Sequence, residues 1–253
     1  MKIRLLSAAL ITLLSSVLAP LPLQAQTTDT QDIQLNDLPE WLLEFSNLSK
    51  EDKADYIEHF QEAKTYFTRG EWVQCLMHLD SCEMIFKGNP NIWNLRVGVL
   101  IEQHRPDEAE AELAKAKKAL PDDAVTLMNI ANLHMVKKEY QECITDMSAI
   151  LNVIPYSNAE LRDALTFRVY LCHLMLAETE AAQKLISYSS PMDDTPLYYF
   201  CEAATNITKK DRKAAMNSIN VAQRIFSKTA ATVPYQRALN ASGLVEKYLS
   251  EGE

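Results

Sequence analysis

The sequence predicts an all-α protein of stacked helix pairs, and three observations predict it. Leu, Ala, Glu, Lys, Gln and Met, all good helix formers, dominate the long segments. Only 5 of the 253 residues are Gly, which disfavours a turn-rich β architecture and suits long helices with short connections. The middle of the chain also repeats itself every 34 residues. Cys75, Ala109 and Cys143 stand in one register, as do Trp72, Pro106 and Tyr140, then Leu79, Leu113 and Met147, and Cys82, Ala116 and Ile150. Pro121 and Pro155 keep the same 34-residue interval. A fixed period in this range marks stacked supersecondary units. With 47% apolar residues the chain can bury an ordered core.

The elements follow in order. Lys2 and Arg4 precede a mostly apolar stretch from Leu5 to Leu18, and Pro20 and Pro22 then break any helix. This is the pattern of an export signal over residues 1–25, with cleavage expected after Ala25. The apolar stretch is shorter than the ~20 residues that span a bilayer, which favours cleavage over an uncleaved anchor. No later run is apolar enough to span a membrane. Residues 26–37 are polar and non-periodic and read as a flexible tether. A short helix is expected over 38–48, with Leu38, Trp41, Leu42, Phe45 and Leu48 on one face and Asp37 and Glu40 as a capping pair.

Three in-register helix pairs are then predicted, at 50–69 and 72–87, 91–104 and 106–119, and 123–137 and 139–153. Cys75, Ala109 and Cys143 place a small residue where two helices approach closely. After Pro155 the register loosens. Ser157 and Glu160 form a capping-box pattern opening a long helix over 158–176, followed by one over 178–188. Its small residue, Ala182, comes 39 residues after Cys143, so this fourth pair carries an insertion of five. Thr195 and Pro196 read as a cap and first-turn proline for a fifth pair at 196–208 and 211–227, with Ala203, Ala215 and Ala222 at close contacts. Residues 233–249 are expected to form one helix that caps the open end of the stack. The domain reading is thus an N-terminal helix with three regular units over 38–155, and two looser units with a capping helix over 156–253.

The formal net charge is −9, and removal of residues 1–25 takes away Lys2 and Arg4 but no acid. An acidic surface repels phosphate backbones, so nucleic acid is not an expected partner. The five cysteines read as small buried apolar side chains. Cys75 and Cys82 on one helix would sit about 10.5 Å apart, beyond disulfide reach. One disulfide, with Cys143 and Cys172 as the candidate pair, is the alternative in an oxidising compartment. His59, His78, His104, His134 and His173 are scattered over separate helices, with no HExxH pattern, no phosphate-cradling glycine loop and no Gly-x-Ser-x-Gly elbow. No catalytic, cofactor-binding or metal-binding residue is nominated, and no enzyme is expected. Asp122-Asp123 and Asp193-Asp194 suit helix starts. Lys209-Lys210-Asp211-Arg212-Lys213 reads as a solvated turn.

The repeating positions resemble tetratricopeptide repeats. The second unit carries Trp93, Leu100, Pro106-Asp-Glu-Ala109, Leu113, Ala116 and Pro121. The third carries Leu127, Ala131, Glu139-Tyr140-Gln-Glu-Cys143, Met147, Ile150 and Pro155, and the first carries Ala63, Tyr66, Gly70-Glu71-Trp72, Cys75, Leu79 and Cys82. The resemblance is strong over about 55–155, weaker over 156–227, and does not reach the N-terminal helix. It implies a right-handed superhelical solenoid with first helices lining a concave groove that binds a protein or peptide. Carried over residue by residue, the groove positions are Phe60, Lys64, Phe67 and Thr68, then Asn94, Gly98, Ile101 and Glu102, then Met128, Asn132, Met135 and Val136. Phe60 and Met128 replace the polar clamp of tail-binding members, which argues against an acidic C-terminal tail. Two alternatives stay open: an exposed groove, or one covered by the chain's own N-terminal helix. The function expected is an exported, periplasmic or secreted scaffold; the alternative is an envelope-assembly component acting through its convex face or by self-association.

Overall fold

The structure, a computed structural model, describes residues 39–227 and 230–249. The expected export signal, the tether, Asp37 and Leu38 lie outside the described residues. Among the described residues there is no strand, and no helix is long and apolar enough to cross a membrane.

The helices run α1 (Glu40–Ser46), α2 (Lys50–Arg69), α3 (Trp72–Ile85), α4 (Pro90–Glu102), α5 (Pro106–Ala119), α6 (Ala124–Val136), α7 (Tyr140–Leu151), α8 (Ala159–Met175), α9 (Thr179–Leu185), α10 (Leu197–Thr208), α11 (Arg212–Ile225), α12 (Val233–Ala241) and α13 (Leu244–Leu249). The bends between paired helices share one geometry. Gly70, His104, Lys138, Ala177 and Lys210 each take a positive φ, between 54° and 75°. After each, the next amide donates back into the last turn of the first helix: Glu71 to Tyr66, Arg105 to Leu100, Glu139 to His134, Glu178 to His173 and Asp211 to Asn206. This is the left-handed helix stop that satisfies orphaned carbonyls. Four residues beyond each bond lies a small side chain, Cys75, Ala109, Cys143, Ala182 or Ala215, at 0–2% exposure. The 34-residue sequence period is therefore also a backbone period, and the fourth and fifth pairs share the turn although their spacing drifts.

Three local expectations are corrected. The cap of α8 is Asn158, whose Oδ1 accepts from the Leu161 amide, in place of the Ser157–Glu160 box. Thr195 does not cap α10; its hydroxyl donates to Asp163 Oδ2 at 2.6 Å, tying that loop to α8. The expected single helix over 233–249 breaks at Gly243, which adopts φ 73°.

Consecutive helices pack on one another from α2 to α9, and α10 packs on α8 and α11. The first helices also meet, α2 with α4, α4 with α6, and α8 with α10. The core runs along this order. Tyr56, Cys75, Leu79 and Ile92 pack at the start; Val97, Ala109 and Leu133 follow; Met135, Cys143, Met147 and Cys172 come next; Phe167, Tyr170, Phe200 and Leu244 close the series. Helix α1 lays Phe45 against Tyr56 and Phe86, with ring centroids 4.9 and 5.6 Å apart. It thus sits at the N-terminal edge of the first pair. Residues 233–249, expected to cap the open end, pack on the last pair through α13 on α10 and also reach back to α8 and α4. Helix α12 packs on α8, α10 and α4, whereas α11 keeps Met216 and Ile225 exposed.

Candidate functional site

The residues nominated from the sequence all lie on α2, α4 and α6, which together with α8 form the first-helix face. Its most prominent occupant is helix α12, which crosses it. Tyr235, Ala238 and Leu239 turn inward and are 2–5% exposed. The Tyr235 ring lies 5.4 Å from Phe167 on α8 and 5.2 Å from Phe200 on α10. At the far side Arg237 reaches the end of α2. Its Nη2 donates to the Phe67 carbonyl at 2.6 Å and the Thr68 carbonyl at 3.3 Å. The guanidinium lies 4.6 Å from the Phe67 ring centroid and 5.2 Å from that of Trp72. Glu102, at the end of α4, stands 3.8 Å from Arg237 Nε. The path continues beyond α12, where Tyr140 Oη donates to the Ser242 carbonyl at 2.9 Å and Lys247 Nζ to that of Met175 at 2.8 Å.

Helix α12 acts as a strap across this face and is part of the core. Burying a Leu side chain contributes roughly 1.5–3 kcal/mol, and Leu239 and Leu244 are both buried, beside the rings of Tyr235, Phe167 and Phe200. Detaching the segment would therefore cost several times the energy of any single surface contact. The alternative that the groove is covered by the N-terminal helix is answered by a different element, the C-terminal one.

The nominated residues divide accordingly. Asn94, Ile101 and Met135 are 3%, 5% and 1% exposed and face other helices, not solvent. Asn94 Nδ2 donates to Thr126 Oγ1 at 2.9 Å, and Asn129 Nδ2 donates to the Asn94 carbonyl at 2.9 Å. These three polar side chains join α4 to α6, so Asn94 is spent on packing. Lys64 is buried as well, with Nζ 5.3 Å from the Phe60 ring, and burial pushes its ammonium below the ordinary value. Gly98 provides space for a neighbour: a Cβ there would meet the Phe67 ring at 3.1 Å. Phe67 itself is half-buried beneath Arg237, and Thr68 Oγ1 returns to the Lys64 carbonyl.

Phe60, Met128, Asn132 and Val136 are the nominated groove residues that stay half-buried and clear of Arg237, Val136 packing beside Val97 and Leu133. Phe60 stacks near Tyr56, at 6.3 Å between centroids. Met128 packs beside the Met135–Cys172 part of the core. Asn132 Oδ1 accepts from Arg168 Nε at 3.0 Å, and Arg168 Nη1 donates to the Ala164 carbonyl. Ile57, one turn before Phe60, is 46% exposed.

Thr126, Asn129, Arg168 and Arg237 were missed by sequence reading. The inward positions 235, 238 and 239 do carry helical spacing and advertise a buried face. Nothing local marks which face receives them. Glu102, Arg168 and Arg237 form a charged cluster on this face. Burial raises the Glu102 carboxyl above its ordinary value, opposed by Arg237, Arg168 and His104, and burial lowers both guanidinium groups. Among the described residues no group of three or more His, Cys, Asp or Glu side chains is placed to hold a metal ion. Comparison with protein-family models, curated proteins and solved structures returns no match to this chain.

Proposed function

We propose that the chain is an exported, non-catalytic scaffold of the tetratricopeptide-repeat kind, a right-handed superhelical solenoid that binds a protein or peptide segment on its first-helix face. The observation that supports this reading is the shared geometry of five helix pairs, each with the same left-handed stop and the same buried small residue. Stacked pairs of this kind present side chains at regular intervals along an extended surface, which suits a segment of another chain. The strap α12 narrows the candidate surface. What it leaves accessible is centred on Ile57 and Phe60 of α2 and on Met128 and Asn132 of α6.

A photo-crosslinking side chain placed at Phe60 or Met128 in living cells should give a discrete adduct with one protein species. The same probe at Lys117, on the outer face of α5, should not. Combined Phe60→Ala, Met128→Ala and Asn132→Ala should remove partner capture while the helical spectrum is retained. Equal adduct yield from both faces would reject the first-helix assignment. Export is tested separately by N-terminal sequencing of the mature protein, expected to begin at Gln26.

A second reading, self-association through the outer face, is favoured by one observation. Val73, Met77 and Met84 on α3 are 65%, 63% and 80% exposed. At 100° per residue they fall within about 40° of one another on the helix, and an exposed apolar stripe marks an interaction surface. Sedimentation at micromolar concentrations decides: a dimer dissociated by Met77→Glu supports this reading, and a monomer throughout removes it.

A further inference from the structure

The five cysteines are all buried thiols, but they are not equivalent. Cys75 and Cys82 share α3, seven residues apart and so about 10.5 Å apart along the helix. The Cys82 Sγ turns instead to the Tyr56 carbonyl at 3.6 Å. Cys201 belongs to the C-terminal part of the core. Cys143 on α7 and Cys172 on α8 differ from these three. The two helices pack directly on one another, and both side chains have 0% exposure in one apolar cluster. A disulfide needs β-carbons that face one another at short range. Of the five cysteines, these two are the pair that comes from different, directly packed helices and shares one buried cluster.

We propose that Cys143 and Cys172 form a disulfide that staples the third helix pair to the long helix α8. Two S–H bonds break and one S–S bond forms. The two electrons and two protons pass by thiol–disulfide exchange to an oxidised disulfide donor, which leaves as two thiols. The position has a structural logic. Between Cys143 and Ala182 the spacing grows from 34 to 39 residues, so α7 meets α8 where the regular register ends. A covalent link there fixes a joint that the repeat pattern no longer specifies.

Burial governs when the bond forms. The thiolate is the attacking species, and the neighbouring Cys143 together with burial pushes Cys172 well above the ordinary thiol value. With both sulfurs at zero exposure, a donor reaches them while the chain folds and not after the core has closed. The proposal concerns side-chain placement and stands independently of the partner-binding reading.

The test is oxidative refolding. Denatured, reduced protein is refolded in a mixture of oxidised and reduced glutathione, then denatured and alkylated with iodoacetamide. Three alkylated cysteines and a peptide joining Cys143 to Cys172 are expected, against five in the reduced protein. Reduction should lower the thermal midpoint of the bridged protein by on the order of 10 °C for a closed loop of about 30 residues. The double variant Cys143→Ala/Cys172→Ala should keep the helical spectrum and lose the response to reductant. Five alkylated cysteines after refolding, a bridge joining any other pair, or a midpoint indifferent to reductant would each overturn the proposal.

Discussion

A backbone rule is most visible at single residues in the paired-helix bends. Gly70 occupies the left-handed stop of the first pair at no steric cost, but Ala177 holds φ 62° with a β-carbon in place. An L-residue in that region carries about 1–2 kcal/mol of strain. Ala177→Gly should therefore stabilise the protein by about 0.5–1 kcal/mol after the added freedom of the unfolded chain is discounted. The measurement is a higher urea midpoint at unchanged slope. Ala111→Gly, on the exposed side of α5, should instead lower stability by about 1 kcal/mol. Glu102 gives a pH signature. Its carboxyl is raised above the ordinary value of 4.5, with burial as the largest cause. The folded state therefore holds that proton more tightly than the unfolded state. The contribution is full below the unfolded value and is lost as pH rises through the folded one. Urea midpoints measured from pH 4.5 upward should fall less steeply in Glu102→Gln than in the wild type. The small residues at 75, 109 and 143 were legible because the period displays them. The role of Asn94 was not, because an amide suited to an exposed guest is equally suited to Thr126 and Asn129 across a buried joint.

At the scale of elements, the helices of the first three pairs were legible because caps, prolines and period agree. The predicted 50–69 and 106–119 are the observed Lys50–Arg69 and Pro106–Ala119. The C-terminal helix was not, because its single glycine was read through as part of one element. Gly243 is a left-handed stop, and it lets α13 turn away from α12. Gly98 acts between elements. Because a Cβ would come within 3.1–3.2 Å of the Phe67 ring, α4 and α2 approach as they do only with glycine there. Gly98→Ala should displace the ring on which Arg237 rests and cost about 1–3 kcal/mol. Thermal or urea unfolding measures the cost. A neutral effect would mean that the ring yields freely and does not set the spacing of α2 and α4.

Over the whole molecule, the strap changes how the repeats depend on one another. In a plain stack each unit touches only its neighbours, and stability is a sum of local terms along the chain. Here Arg237 bonds carbonyls at positions 67 and 68, 170 and 169 residues away in sequence, while Tyr235 on the same short helix packs on α8 and α10. The first pair and the last are thereby tied through one element. The long-range link is what the 34-residue pattern could not reveal, since a period reports nearest neighbours only. The wild type should consequently unfold in a single cooperative transition. In Arg237→Ala the aromatic and carbonyl contacts to α2 are lost, yet Tyr235 and Leu239 keep α12 on α8. Amide exchange in α2 and α3 should then accelerate towards that of a locally opening unit, while α8 and α10 retain their protection. In Leu239→Ala the loss of about 2–5 kcal/mol should fall on the C-terminal core first. The two variants thus separate the latch from the anchor. If exchange in α2 were unchanged by Arg237→Ala, the first pair would be held by its neighbour α4 alone, and the strap would be a local feature of the C-terminal half.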